Sequence, residues 1–149
     1  MSNITIRSAK VADLAGLCEL YRQLNPDDPP WASETVALDV LAGVLGHAGT
    51  TILIGEVDGS CVSTCMLVVC PNFSRSGRPF ALIENVVTHR DHRRQGYGRR
   101  IVQRAIEAAH QQGCYRVSLM TGSQRQETLR FYEETGLQRA KTSFEARFG

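Results

Sequence analysis

Apolar residues along this chain change their period several times, and each change marks an element. Residues 4–7 alternate and predict a short first strand. Over residues 11–24 the apolar positions Leu14, Leu17, Cys18 and Tyr21 recur at helical spacing, so a helix is expected there. Asp13 sits early in that helix, where a negative charge suits the helix dipole. The run Asn25-Pro26-Asp27-Asp28-Pro29-Pro30 stops it. Ser33 is placed to cap a second helix, whose apolar residues are Val36, Leu38, Val40, Leu41, Val44 and Leu45.

Two strands are expected next, at residues 51–57 and 61–69, joined at Asp58-Gly59, a hairpin signal. Residues 71–79 form a loop rich in Pro, Asn, Ser and Gly, long for a hairpin. Residues 80–88 are apolar on both alternating faces, the pattern of a central strand covered on both sides. A helix over 98–110 carries Ile101, Val102, Ala105, Ile106 and Ala109 on one side and ends at Gly113. The strand at 115–120 is reached by a helical crossover, which predicts parallel pairing with the strand before it. A helix at 127–134 stops at Gly136, and residues 137–148 are expected to supply a last strand. Antiparallel hairpins followed by a β-α-β unit predict an α/β layer protein with a mixed sheet.

A length of 149 residues fits one domain over 1–149, and no repeat or linker divides it. The formal charge of +2 is too small to imply nucleic acid, but Arg90, Arg93, Arg94, Arg99, Arg100 and Arg104 cluster, which points to one local anion site. Met1-Ser2-Asn3-Ile4 has no basic head followed by an apolar run, so no secretory leader is expected. No stretch approaches the roughly 20 apolar residues of a membrane span. The odd number of cysteines, 5, without Cys-x-x-Cys spacing, predicts reduced thiols in a cytoplasmic protein and no metal site.

The richest chemistry lies in Arg93-Arg94-Gln95-Gly96-Tyr97-Gly98, between a strand and a helix. Closely spaced glycines let a backbone approach a bulky anion, and the following helix aims its unpaired N–H groups at the same spot. No Gly-Lys-Ser/Thr is present, which excludes a nucleoside-triphosphate P-loop. Ile101 stands where a dinucleotide fingerprint needs its third glycine. A plain tight turn with solvated arginines is the alternative reading.

The segment Thr88-His89-Arg90-Asp91-His92-Arg93-Arg94-Gln95-Gly96-Tyr97-Gly98 resembles the acetyl-coenzyme A signature of the GNAT N-acetyltransferase superfamily. Phe131-Tyr132-Glu133-Glu134-Thr135-Gly136-Leu137 is similar to a second element of that family, and the order of elements fits over the whole chain. Two positions depart from the pattern. Arg90 stands where the family often has Pro, and Arg125 where it often has Asn, so the usual side-chain contact to the cofactor is in question.

The resemblance implies a single-domain GNAT-like fold with antiparallel N-terminal strands, a parallel central pair and helices on both faces. It implies acetyl transfer from acetyl-coenzyme A to a primary amine by direct attack, without a covalent acyl-enzyme, and a homodimer. The backbone amides of Arg94, Gln95, Gly96, Tyr97, Gly98 and Arg99 then hold the pyrophosphate, with Arg93 and its neighbours adding charge. Val86, Val87 and Thr88 lie along the pantetheine arm, with an amide near a strand bulge at Val86–Val87 facing the oxyanion. Tyr132 is the family's candidate proton donor; its alternative is a core tyrosine beside Phe131. Glu84 is the candidate base, since it shares a strand face with Phe80, Leu82 and Val86 and burial there raises a carboxyl pKa. Pairing with an arginine, or a water relay, is the alternative. His89, His92 and His110 read as solvated surface residues.

The acceptor is open. Residues 25–31 carry Asp27, Asp28 and Trp31, which suit a cationic amine, whereas Arg75 and Arg78 in the second loop suit an anion. Ile83-Glu84-Asn85-Val86-Val87 and Gly113-Cys114-Tyr115-Arg116-Val117 are similar to short segments of glucosamine-6-phosphate N-acetyltransferases, too short to name a substrate. Two rival classes remain: a coenzyme A-binding sensor without turnover, and a nucleic-acid binder. The second needs stacking aromatics beside the arginines, and only Tyr97 is near.

Overall fold

The computed structural model describes residues 3–149. Met1 and Ser2, the start of the expected domain and of the stretch read as lacking a leader, lie outside the described residues.

Five strands form one sheet in chain order: β1 (Thr5–Ser8), β2 (Thr50–Val57), β3 (Ser60–Cys70), β4 (Phe80–Thr88) and β5 (Val117–Leu119). The first four pair antiparallel, and β4 pairs parallel with β5 at the edge. The β2–β3 hairpin turns on Asp58 (φ 50°) and Gly59 (φ 78°), both left-handed as its two-residue turn requires. Helix α1 (Leu14–Leu24) begins one turn later than its apolar period suggests, because Val11–Asp13 closes a 3₁₀ turn. Helix α2 (Glu34–Leu45) is capped by the Ser33 hydroxyl, which accepts from the Val36 amide at 3.1 Å.

Both sheet faces are covered, by different elements. Helix α3 (Tyr97–Gln111) lays Ile101, Val102, Ala105 and Ala109 on Leu53, Cys65, Leu67, Ala81 and Ile83. On the opposite face, Leu17 of α1 and Leu41 of α2 meet Ile52 and Ile54. Helix α4 (Gln126–Glu134) follows β5 and touches α3. The second face is covered only in part: Phe80, Leu82 and Glu84 are half-buried there, whereas Val86, past a register shift, packs with the α3 cluster rather than sharing the Glu84 face as expected.

The expected last strand is absent. Residues 137–149 form neither helix nor strand, and Phe144 and Phe148 are 95% and 93% exposed. Only Leu137 packs on the core; from Gln138 to Ser143 the sole apolar residue is Ala140, too little to build a buried strand face. With no sixth strand, the outer edge of β5 is free. Among the described residues no helix is long and apolar enough to cross a membrane.

Candidate active site

Strand β4 organises the site at both of its edges. Towards β5, pairing covers Ala81, Ile83 and Leu82 only, after which β4 runs on without a partner from Glu84 to Thr88. Towards β3, the register slips: Val87 faces Thr64 and Glu84 faces Met66, so Asn85 and Val86 stand opposite Cys65 alone. Asn85 takes φ 54°, a left-handed conformation that asparagine tolerates better than most residues. The bulge expected near Val86–Val87 is therefore centred one residue earlier. Opposite it, the Thr64 hydroxyl donates to the Leu53 carbonyl at 2.7 Å and fixes β3.

At its C-terminal end β4 leads into the glycine turn. Arg94 (φ 62°) and Gly96 (φ 80°) are both left-handed. Gly96 caps α3 without any side-chain hydrogen bond, and the first intrahelical bond runs from the Arg100 amide to the Gly96 carbonyl at 3.1 Å. The amides of Tyr97, Gly98 and Arg99 thus have no acceptor inside the helix. A Cβ built on Gly96 meets nothing within 4 Å, so the turn opens on free space. That geometry fits a diphosphate approached by backbone. Arg93, Arg94, Arg99 and Arg100 are exposed and have no carboxylate partner among the described residues. Arg93 Nε donates to the Thr88 carbonyl at 3.2 Å, which ties the turn to the strand end.

The two glycines do different work. Gly98 is constrained by packing, since a Cβ there meets Thr88 Oγ1 at 3.0 Å and Phe131 Cζ at 3.2 Å. Thr88 is in turn 3.0 Å from the Ser63 hydroxyl, whose proton also reaches the Val87 carbonyl at 3.2 Å. The Tyr97 ring is 4% exposed among Ile4, Val57 and Val62, so only its backbone faces the turn and it offers no surface for base stacking.

Tyr132 lies on α4 with its ring centroid 5.0 Å from that of Phe131. Burial raises its pKa above the ordinary 10, with the neighbouring Cys65 adding to the effect. Its hydroxyl makes no hydrogen bond among the described residues and is not sealed from solvent. It is therefore a protonated donor at neutral pH with a free proton to give. Glu84 is half-buried and pairs with no arginine among the described residues, which removes the ion-pair alternative.

A cleft of about 960 Å³ opens beside the bulge, lined by Cys18, Tyr21, Asp28, Trp31 and Asn85 among others. Of residues 25–31, all but Asp27 line this cleft. Residues 71–79 lie at the other end of β4. Tyr21 was legible only as part of a helical stripe, yet it lines this cleft, and burial pushes its pKa up to about 12. Asn85 was missed as well; a polar residue inside an apolar strand was its one signal. His110 is exposed, but His89 is half-buried: its Nδ1 accepts from the Asp91 amide at 3.2 Å, and Nε2 lies 3.8 Å from Glu19.

Three of the thiols are disfavoured as nucleophiles. Burial raises Cys61 to about 11 and Cys65 to about 12, and raises Cys114 as well. All five cysteines are unpaired. Arg125 begins α4 and pairs only with Glu127, at 3.6 Å.

The acetyltransferase (GNAT) family model matches residues 14–137. A structure from Agrobacterium tumefaciens str. C58, assigned as an acetyltransferase, is 42% identical with a TM-score of 0.92, over 97% of this chain and 99% of that one. A Trypanosoma brucei acetyltransferase structure is 26% identical with a TM-score of 0.84, over 98% and 100% of the two chains. The glucosamine 6-phosphate N-acetyltransferase of Trypanosoma brucei brucei is 29% identical over 136 residues, 90% of this chain and 88% of its own length.

Proposed function

The chain belongs to the acetyltransferase (GNAT) family and is an N-acetyltransferase, and from that premise we propose that it moves the acetyl group of acetyl-coenzyme A to a primary amine of a small molecule or peptide. One observation carries this reading: the unpaired edge of β4 after Ile83 runs directly into the uncapped N-terminus of α3. The strand edge suits the amide-bearing pantetheine arm, and the helix end suits the pyrophosphate. Both belong to one continuous segment, so an extended thioester spans them without distortion of the fold.

The amides of Arg94 to Arg99 hold the pyrophosphate, with the arginine side chains adding charge. The Asn85–Val87 backbone, freed by the bulge, polarises the thioester carbonyl. An amine of pKa ~10 is mostly protonated at neutral pH, so removing its proton costs up to about 4 kcal/mol. Glu84 takes that proton, directly or through water. Tyr132 gives its proton to the departing thiolate. The raised thiol pKa values favour direct attack by the amine over an acyl-cysteine.

The five free thiols support a cytosolic enzyme, and the exposed Phe144 and Phe148 support a homodimer that covers them; light scattering that shows a monomer refutes the dimer. The name of the trypanosomal relative makes glucosamine 6-phosphate the first acceptor to try.

The test is a thermal shift with acetyl-coenzyme A, coenzyme A, NAD and ATP, followed by thiol release with amines. Stabilisation by the two coenzyme A species alone, with thiol release, is expected. Binding without turnover of any amine marks a coenzyme A-binding module instead, and no shift at all removes the cradle.

A further inference from the structure

The conflicting acceptor cues in the sequence separate in space. Asp28 and Trp31 border the cleft at Asn85, whereas arginines gather where β5 begins. Ser118 is register-paired with Leu82, and the Arg116 guanidinium stacks on the Phe80 ring, so both lie on the β4 face that carries Glu84. That face lies opposite α3 and is incompletely covered.

The Arg116 guanidinium is held in place on three sides. Its Nε donates to the Tyr115 hydroxyl at 3.1 Å and Nη1 to Ser118 Oγ at 2.8 Å, while its carbon stacks 4.7 Å from the Phe80 ring centroid. Two of its five N–H donors are thereby used, which leaves the outer fork free. No carboxylate lies within salt-bridge distance of Arg116, Arg75 or Arg78 among the described residues. Arg75 stacks 5.3 Å from the Tyr115 ring, and Arg78 donates to the Cys114 carbonyl at 3.4 Å. The Tyr115 hydroxyl accepts from Arg116, and that bond, with the charges of Arg116, Arg75 and Lys141, lowers its pKa. A half-buried, pre-oriented cation with spare donors and no counter-ion is an anion receptor.

We propose that Arg116, backed by Arg75 and Arg78, binds a phosphate group carried by the amine acceptor, so that the acceptor is an amine and a phosphate in one small molecule. Arg116 stacks on Phe80 and reaches Ser118, the partner of Leu82, so its free donors lie alongside positions four to two residues before Glu84 on β4, roughly 7–13 Å away. Three cations favour a dianion over a carboxylate. This deepens the transfer reading and rests on it for the amine end alone.

The first measurement does not need turnover. Protein with isotope-labelled arginine and saturated with coenzyme A, which fills the α3 cradle, is titrated with inorganic phosphate. The Arg116 Nε–H resonance is expected to move and saturate, with phosphate affinity at least about tenfold weaker in Arg116→Gln. A resonance that stays still, or unchanged affinity in Arg116→Gln, overturns the proposal. The second compares glucosamine 6-phosphate with glucosamine. A preference of about tenfold or more in kcat/KM for the phosphorylated amine, carried by KM, is expected. Arg116→Lys retains part of that preference and Arg116→Gln loses it. Equal use of both amines sinks the anion site and leaves the transfer reading intact. If neither amine reacts while the Arg116 resonance still moves, the anion site stands and glucosamine 6-phosphate falls as the acceptor.

Discussion

A Cβ placed on Gly98 would stand 3.2 Å from Phe131 Cζ, so α3 meets α4 at a contact too close for a side chain unless Phe131 gives way. Gly98→Ala therefore overpacks the junction and is expected to cost about 1–3 kcal/mol, read as a lower Tm with or without coenzyme A. Gly96→Ala has room for its methyl but must hold φ 80°, at about 1–2 kcal/mol. Its main effect falls on coenzyme A affinity, because the methyl fills the space in front of the α3 amides. Equal loss of affinity in both variants would show that the turn acts only through folding.

Tyr132→Phe keeps the ring against Phe131 and removes only its unpaired hydroxyl. Turnover is expected to fall about a hundredfold with coenzyme A affinity nearly unchanged. A variant with the wild-type rate returns Tyr132 to a packing role.

Alkali should unfold this protein cooperatively. The folded state holds protons on Cys61 to about 11 and on Cys65 and Tyr21 to about 12, whereas the unfolded chain releases them near 9 for the thiols and 10 for the phenol. The unfolded state thus binds fewer protons in this window, and stability declines as pH rises from about 9 to about 12. Urea midpoints across that range test it, and Cys65→Ala should flatten the lower part of the decline. A flat profile refutes the burial account.

At the acid end the sensitive group is Asp13. Arg7 donates to both its carboxylate oxygens at 2.8 Å and to Glu56 Oε2 at 2.8 Å, while Asp13 also accepts from the Lys10 amide at 2.7 Å. The Arg7 bond holds the Asp13 pKa below 3.8. Its contribution is complete above that value and disappears as pH falls through the lower folded-state pKa. Asp13→Asn should cost about 1–3 kcal/mol at pH 7. Near pH 2 the difference from wild type should shrink; a constant difference would assign the loss to the 3₁₀ turn instead.

The elements that the sequence announced are those with local signals. Asp58-Gly59 set the hairpin, Ser33 set a helix start, and residues 80–88 matched β4 to the residue because a loop and a glycine turn bound it. The rest depends on partners far along the chain. Nothing near Asn85 announces a bulge, which arises from register against β3. Gly98 reads as a phosphate glycine until Phe131 is placed beside it. Phe144 and Phe148 have strand-forming side chains, but their segment has no apolar face to pair. The half-open face that holds Glu84 and Arg116 was hidden for a similar reason, since coverage by α1 and α2 is a matter of where helices end.

The open edge of β4 and the bare start of α3 are made of main chain. Side-chain replacement across most of that segment leaves both intact, whereas one proline at Gly98 or Arg99 would delete an N–H outright. The grip on the donor is thereby insulated from most substitutions outside its glycines and Asn85, while the surrounding loops and Arg116 can change. Such a division lets a single scaffold exchange one acceptor for another through a handful of side chains, keeping its donor throughout.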